Sequence, residues 1–170
     1  MTTYFLGFFV PVTKFDKIIP SFYELVPVNQ RHLTLMYFGY VHNIDNITKV
    51  LSLIKLECFT IKFRGIKPFP SDTKPRYLAA IAVPESENYL RRIREEVSRM
   101  YRLYADRYEE FKPHVSIAVT RRKPDLHLHR VVKKTVRQSQ RILDEVFIDR
   151  MCLIKADGGS IASVHCIKLS

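Results

Sequence analysis

Two tetrapeptides, His32-Leu33-Thr34-Leu35 and His114-Val115-Ser116-Ile117, share one pattern: histidine, apolar residue, hydroxyl residue, apolar residue. Side chains two apart on a strand point the same way, so each histidine shares a face with a hydroxyl while the apolar pair enters the core behind it. The pattern requires both segments to be strands with one accessible face, and two such strands can line one cleft. Among six histidines in 170 residues, two matches arise by accident at roughly 1%. Either tetrapeptide alone would read as an ordinary half-buried histidine; together they point to chemistry.

The rest of the chain supplies a body for such a cleft. With 46% hydrophobic and 26% charged residues it has globular composition, long enough for one compact domain or two small lobes. No apolar run approaches the roughly 20 residues of a membrane helix, and the opening MTTYFLGFFVPV lacks the basic start and cleavage site of a signal peptide. A cytoplasmic protein that engages no membrane is expected. Cys58, Cys152 and Cys166 lie in apolar, strand-like surroundings without a Cys-x-x-Cys pair, so free buried thiols are expected, with no disulfide framework or zinc knuckle. Lys and Arg number 28 against 17 Asp and Glu, a net charge of +11, which favours a polyanionic partner. Charge alone gives no address on that partner.

Hydrophobic periodicity predicts strands over 3–12, 32–41, 59–66, 76–83, 114–120, 142–155 and 161–169, with a turn at Asp157-Gly158-Gly159 between the last two. Helices are predicted over 45–56, 87–104 and 126–139. The stretch 13–26 is ambiguous because Pro20 interrupts any helix, and 69–75 reads as a proline-bearing loop. Each half thus places a strand beginning with histidine near a helix and closes with paired strands, a loose repeat. The expected class is α+β, as one two-lobed domain over residues 1–170.

Opening a cyclic phosphate requires one proton taken from water and another delivered to the departing sugar oxygen. Two histidines suit that work, since imidazole titrates near neutrality and one can be neutral while the other is protonated. The hydroxyls of Thr34 and Ser116 can donate to the non-bridging phosphate oxygens. This chemistry calls for neither metal nor cofactor.

On these residues the chain resembles the 2H phosphoesterases, in particular the RNA 2′,3′-cyclic phosphodiesterase or 2′-5′ RNA ligase branch. RHLTLMYFGYV resembles the first motif with its Phe-Leu-Gly-like ending, FRGIKPFPSDTKPRYLAAIAV the middle strands and loop, and FKPHVSIAV the Phe-x-Pro-His second motif, so the likeness covers most of the chain. The resemblance implies two antiparallel sheets facing a central cleft with helices packed outside and a pseudo-twofold repeat of a strand-helix-strand unit. It also implies that His32 is the proton donor and His114 the proton acceptor. RNA with 2′,3′-cyclic phosphate ends is the implied partner, the product a 2′-phosphate, and joining through a 2′-5′ linkage the reverse reaction. No obligate protein partner is evident.

There are departures. The family commonly has an arginine five residues beyond the second-motif histidine, where this chain has Val119, so Arg121, Arg122 or Lys123 is expected to supply the anion contact. A tyrosine near the last strand is replaced by His165, and the family's early arginine is missing. Arg121-Arg122-Lys123 reads equally well as a solvated basic turn, and Lys133, Lys134 and Arg137 read better as a solubilising helix face. Arg76 and Tyr77 are adjacent on a strand, so one of the two should face the cleft. Phe69 is the favoured base contact among Tyr37, Phe38, Phe69 and Phe111, because aromatic residues at strand spacing are usually core. His42 reads as a loop residue, and His127 with His129, lacking a third ligand, as the start of a surface helix rather than a metal site.

A non-catalytic basic RNA-binding domain and a 2H phosphodiesterase for a small cyclic nucleotide are the alternatives. Paired acid-base residues weigh against the first, and the +11 charge mildly against the second.

Overall fold

The structure, a computed structural model, describes residues 1–102 and 110–170. Its elements are β1 (Thr3–Phe9), β2 (Glu24–Leu25), β3 (His32–Gly39), α1 (Asp45–Leu53), β4 (Phe59–Phe69), β5 (Tyr77–Ala82), α2 (Pro84–Met100), β6 (His114–Val119), α3 (Leu126–Ser139), β7 (Leu143–Ile148), β8 (Arg150–Asp157) and β9 (Ser160–Lys168). In the stretch 13–26 that the sequence left ambiguous the chain makes a short 3-10 turn, Asp16–Ile18, and the two-residue β2, and a second 3-10 turn, Val28–Gln30, follows it. The strands form two antiparallel sheets, one ordered β3-β1-β8-β9 and the other β2-β6-β5-β4-β7. The α+β class with two antiparallel sheets is therefore as expected. No helix among the described residues is long and apolar enough to cross a membrane.

One hydrophobic cluster runs through both sheets, joining Leu6, Phe8, Leu33 and Leu35 of the first to Ile61, Phe63, Val115 and Ile117 of the second. The alternation of the motifs is realised in this cluster: Leu33, Leu35, Val115 and Ile117 are buried, while His32, Thr34, His114 and Ser116 are half-buried on the opposite face. Helix α2 seals the core with Leu90, Ile93 and Val97, spaced as one helical face requires. It begins earlier than periodicity suggests because Pro84 occupies its first turn, where a missing N–H costs nothing. Its expected end at Tyr104 lies outside the described residues; Tyr101 closes the helix, with its hydroxyl donating to the Ile47 carbonyl at 2.9 Å. Helix α3 has the predicted bounds, and Asp125 caps it by accepting from the Leu128 N–H at 2.7 Å.

Two expectations give way. The predicted strand 142–155 is two strands: β7 pairs with β4 in one sheet, and after Asp149 the chain crosses to the other, where β8 pairs with β1 and β9. No glycine or proline marks the crossing; what changes there is the pairing partner. Cys152 and Cys166 are not free thiols but are joined as a disulfide, since the β8–β9 register sets them directly opposite each other. A pairing of this kind depends on register, which cysteine spacing does not reveal. Cys58 is free, and its thiol donates to the Leu169 carbonyl at 3.3 Å.

Strand β4 also runs farther than predicted, through Pro68 to Phe69. Its pairing with β7 ends at Arg64, so the N–H that Pro68 lacks has no ladder partner to lose on that side.

Strand β1 sits close against β3. A Cβ on Gly7 would lie 2.3 Å from the Leu33 carbonyl oxygen, a backbone atom with no rotamer to yield. That approach brings β1 within pairing distance of the strand that carries His32 and Thr34.

Candidate active site

Strands β3 and β6 approach each other from the two sheets, so their accessible faces border one cleft. Its first compartment, about 590 Å³, is lined by His32 and Thr34 of β3, His114 of β6, and the aromatic side chains of Phe5, Tyr37, Phe69 and Phe111. A second, about 670 Å³, takes in His32 again with Gln30, Arg76, Tyr77, Ser116 and Arg121. Gly159 and Ile161 at the start of β9 wall both compartments. Helices α1 to α3 line neither, in keeping with helices packed outside the cleft.

The two histidines are held in the same way. His32 Nδ1 lies 2.8 Å from the carbonyl oxygen of Gln30, and His114 Nδ1 lies 2.7 Å from that of Lys112, in each case two residues upstream. A carbonyl can only accept, so each Nδ1 carries its hydrogen and Nε2 is left as the nitrogen for chemistry. Each ring also rests on a phenylalanine: Phe69 stacks on His114 with centroids 4.2 Å apart and planes 14° apart, and Phe5 tilts against His32 at 4.9 Å.

Burial lowers both histidines below the ordinary imidazole value, against the opposing pull of the carbonyl bonds, and His32 is lowered further by the charge of His114. The protein's own surroundings therefore favour the neutral form of both imidazoles. An anion between them would reverse that preference, because an opposite charge stabilises the protonated ring.

The polar rim is fixed by its own bonds. Thr120 donates its N–H to the Arg76 carbonyl at 2.9 Å and its hydroxyl to the Phe22 carbonyl at 2.8 Å. Tyr23 donates to the Pro75 carbonyl, and burial pushes its hydroxyl up to about 12, so it stays a donor. Arg76 and Tyr77 both line the second compartment, with the guanidinium 5.4 Å from the ring centroid. The expected either-or between them fails because β5 starts at Tyr77, leaving Arg76 outside the strand's alternation.

Of the three basic residues expected to replace the arginine absent at Val119, Arg121 alone reaches the compartment that Val119 and Ser116 line. Arg122 pairs with Asp125 at 3.1 Å and packs its guanidinium over Phe22, and Lys123 opens on a neighbouring cavity. Phe69, Tyr37 and Phe111 reach the first compartment, whereas Phe38 packs at 5.1 Å against Tyr101 in the core. His165 lies 3.4 Å from Ser52 of α1 and lines neither compartment, so it does not stand in for a cleft tyrosine. His42 meets Tyr40 on the exposed loop after β3. His127 and His129 are on the first turn of α3, and no group of three or more metal-ligating side chains is found among the described residues.

Sequence reasoning missed Arg31, which is only 1% exposed. Its guanidinium bonds both carboxylate oxygens of Asp16 at 2.8 and 3.0 Å and also reaches the carbonyls of Val12 and Val26. It anchors the backbone immediately before His32. Gln30, also missed, adds a tie from its side-chain oxygen to the Ile161 N–H at 3.0 Å, coupling the histidine's support to the β9 wall.

The family model of the 2′-5′ RNA ligase superfamily matches residues 17–160, a span that contains both histidine strands. An RNA 2′,3′-cyclic phosphodiesterase of Aeropyrum pernix is 35% identical over 91 residues, 51% of this chain and 51% of that protein, so the chain spans about half the length of this curated relative in the match. A crystal structure of a Thermus thermophilus protein aligns with TM-score 0.69 at 18% identity, covering 98% of this chain and 97% of that one. E. coli LigT complexed with 3′-AMP aligns with TM-score 0.68 at 15% identity, covering 99% and 98%. At such identities the two structures attest the fold alone, while the family match carries descent: the chain belongs to the 2′-5′ RNA ligase superfamily of 2H phosphoesterases.

Proposed function

We propose that this protein hydrolyses 2′,3′-cyclic phosphate ends of RNA to 2′-phosphates by acid-base catalysis at His32 and His114, within one two-lobed domain. One observation carries the reading. Both imidazoles border one compartment with Nδ1 tied to a carbonyl, and the charge of one disfavours the charge of the other. The name of the Aeropyrum pernix relative supports the substrate class.

In this mechanism His114 takes a proton from a water molecule as its oxygen attacks phosphorus. The bond from phosphorus to O3′ breaks, and His32 delivers its proton to O3′. Thr34 and Ser116 donate to the non-bridging oxygens, and Arg121 with Arg76 offsets their charge. Phosphate remains on O2′. With a 5′-hydroxyl of another strand in place of water, the same forward step would join ends: His114 takes the 5′-hydroxyl proton as O5′ attacks phosphorus, the bond to O3′ breaks with its proton from His32, and a 2′-5′ linkage remains.

The test is incubation of purified protein, with chelator present, with an oligoribonucleotide ending in 2′,3′-cyclic phosphate. A 2′-phosphate product that disappears in His32→Ala and His114→Ala is expected. Tight RNA binding without turnover would instead favour a binding domain, and a 3′-phosphate product would reverse the substrate's orientation.

A further inference from the structure

The cleft does not stop at its second compartment. Arg76, Thr120 and Arg121 also line a further cavity of about 440 Å³, together with Lys74, Pro75, Arg122, Lys123, Pro124 and Leu128. His32, Gly159 and Ile161 in turn join the second compartment to the first. Three hollows therefore lie in series, and their chemistry changes in order. The first sets aromatic rings around both histidines, with Glu110 and Lys112 also in its wall; the second takes in His32, Ser116, Arg76 and Arg121 together with Glu24; and the third presents Lys74, Arg76, Arg121, Arg122 and Lys123 without one acidic residue in its wall. Of these cations Asp125 pairs with Arg122, at 3.1 Å, while its other carboxylate oxygen caps α3. Lys74 and Lys123 are exposed and no ion pair to either is found among the described residues.

We infer that the third cavity is a binding subsite for an internal RNA phosphodiester, the one immediately upstream of the terminal nucleotide. The inference rests on the proposed activity and deepens it. A terminal nucleotide with its cyclic phosphate at His32 has two other parts to place. Its base matches the aromatic compartment, where edge and face contacts with Phe5, Tyr37 and Phe111 are sequence-tolerant. Its 5′ oxygen then leads away from the histidines, and the continuous hollow in that direction is the one that ends in uncompensated cations. The third cavity has no part in bond cleavage. What it supplies is preference for a chain over a mononucleotide, together with salt dependence, since each single-strand phosphate neutralised contributes about 0.7 to the slope of log affinity against log salt.

The test is equilibrium binding, independent of turnover, of three probes: adenosine 2′-phosphate, the dinucleotide ApA bearing a terminal 2′-phosphate, and that dinucleotide with an uncharged methylphosphonate linkage. The charged dinucleotide is expected to bind roughly tenfold or more tightly than the mononucleotide, as a charge-assisted contact provides, and the uncharged one to lose that gain. In Lys74→Ala/Lys123→Ala the gain and its share of the salt slope disappear, while mononucleotide affinity stays within about twofold and the melting temperature is unchanged. Equal affinity of all three probes for the wild type would overturn the subsite, as would a double variant weakened equally toward mononucleotide and dinucleotide. Failure to bind any of the three would sink the reading of the cleft itself and this inference with it, a distinct outcome.

Discussion

In the proposed mechanism two imidazoles supported alike do opposite work, and the difference between them arises from charge. Both begin below the ordinary value near 6.5 because burial disfavours the cation, and His32 is lowered further by its partner. In the free protein the combination of a protonated His32 and a neutral His114 is therefore best populated on the acid side of that value. The profile of kcat/KM against pH should be a bell centred below about 6.5, while kcat, measured with the anionic substrate between the rings, should peak at higher pH. Coincident profiles would remove the phosphate from its assigned place. The same shifts bear on stability. Between the lowered folded values and the unfolded value near 6.5 the unfolded chain holds more protons, so stability should fall as pH drops through that window. Replacing both histidines by glutamine should flatten the fall, as read by melting temperature across pH. Loss of either imidazole should cost about 10² to 10⁴-fold in turnover. The roles can be separated with a substrate whose leaving group needs no protonation: His32→Ala should be substantially rescued and His114→Ala should not, and the opposite result would exchange the two assignments.

Among the elements, β1 does more for the site than its sequence discloses. Gly7 lets it close against Leu33, so Gly7→Ala must push the β3 backbone that carries His32 and Thr34. A loss of about 1 to 3 kcal/mol in unfolding free energy is expected, as for other overpacked sites, together with lower kcat. An unchanged denaturation midpoint would show that the strands can separate freely. What could be read beforehand, and what could not, divides along physical lines. The histidine strands and α3 were legible because alternation and helical spacing are local signals. The end of β7 at Ile148, the Cys152–Cys166 bond and the burial of Arg31 were not, since each depends on a partner away from the local run: another sheet, a facing strand, and Asp16. The basic triplet shows the same limit, because its three consecutive residues part company only once Asp125 and Phe22 claim Arg122.

At the scale of the whole molecule the two sheets are not the two halves of the sequence. The first collects β1 and β3 from the early chain and β8 and β9 from its far end, while every strand of the second lies between β1 and β8 in sequence. A chain ending at Asp149 would lose Met151, Leu153 and Leu169 from the core and leave β1 paired on one side only. Such a chain is expected to show no cooperative melting transition and no turnover; a sharp transition would mean that the remainder folds without them. Synthesis on the ribosome faces the same geometry one residue at a time. Thr3 of β1 pairs with Ala156 of β8, so roughly 150 residues must be polymerised before that edge can close, about 8 to 30 s at about 5–20 residues per second. For that interval Phe5, Leu6 and Phe8 belong to a nascent strand with an open side, and the newborn protein's need for a chaperone should be greatest then, ending as β8 emerges from the exit tunnel.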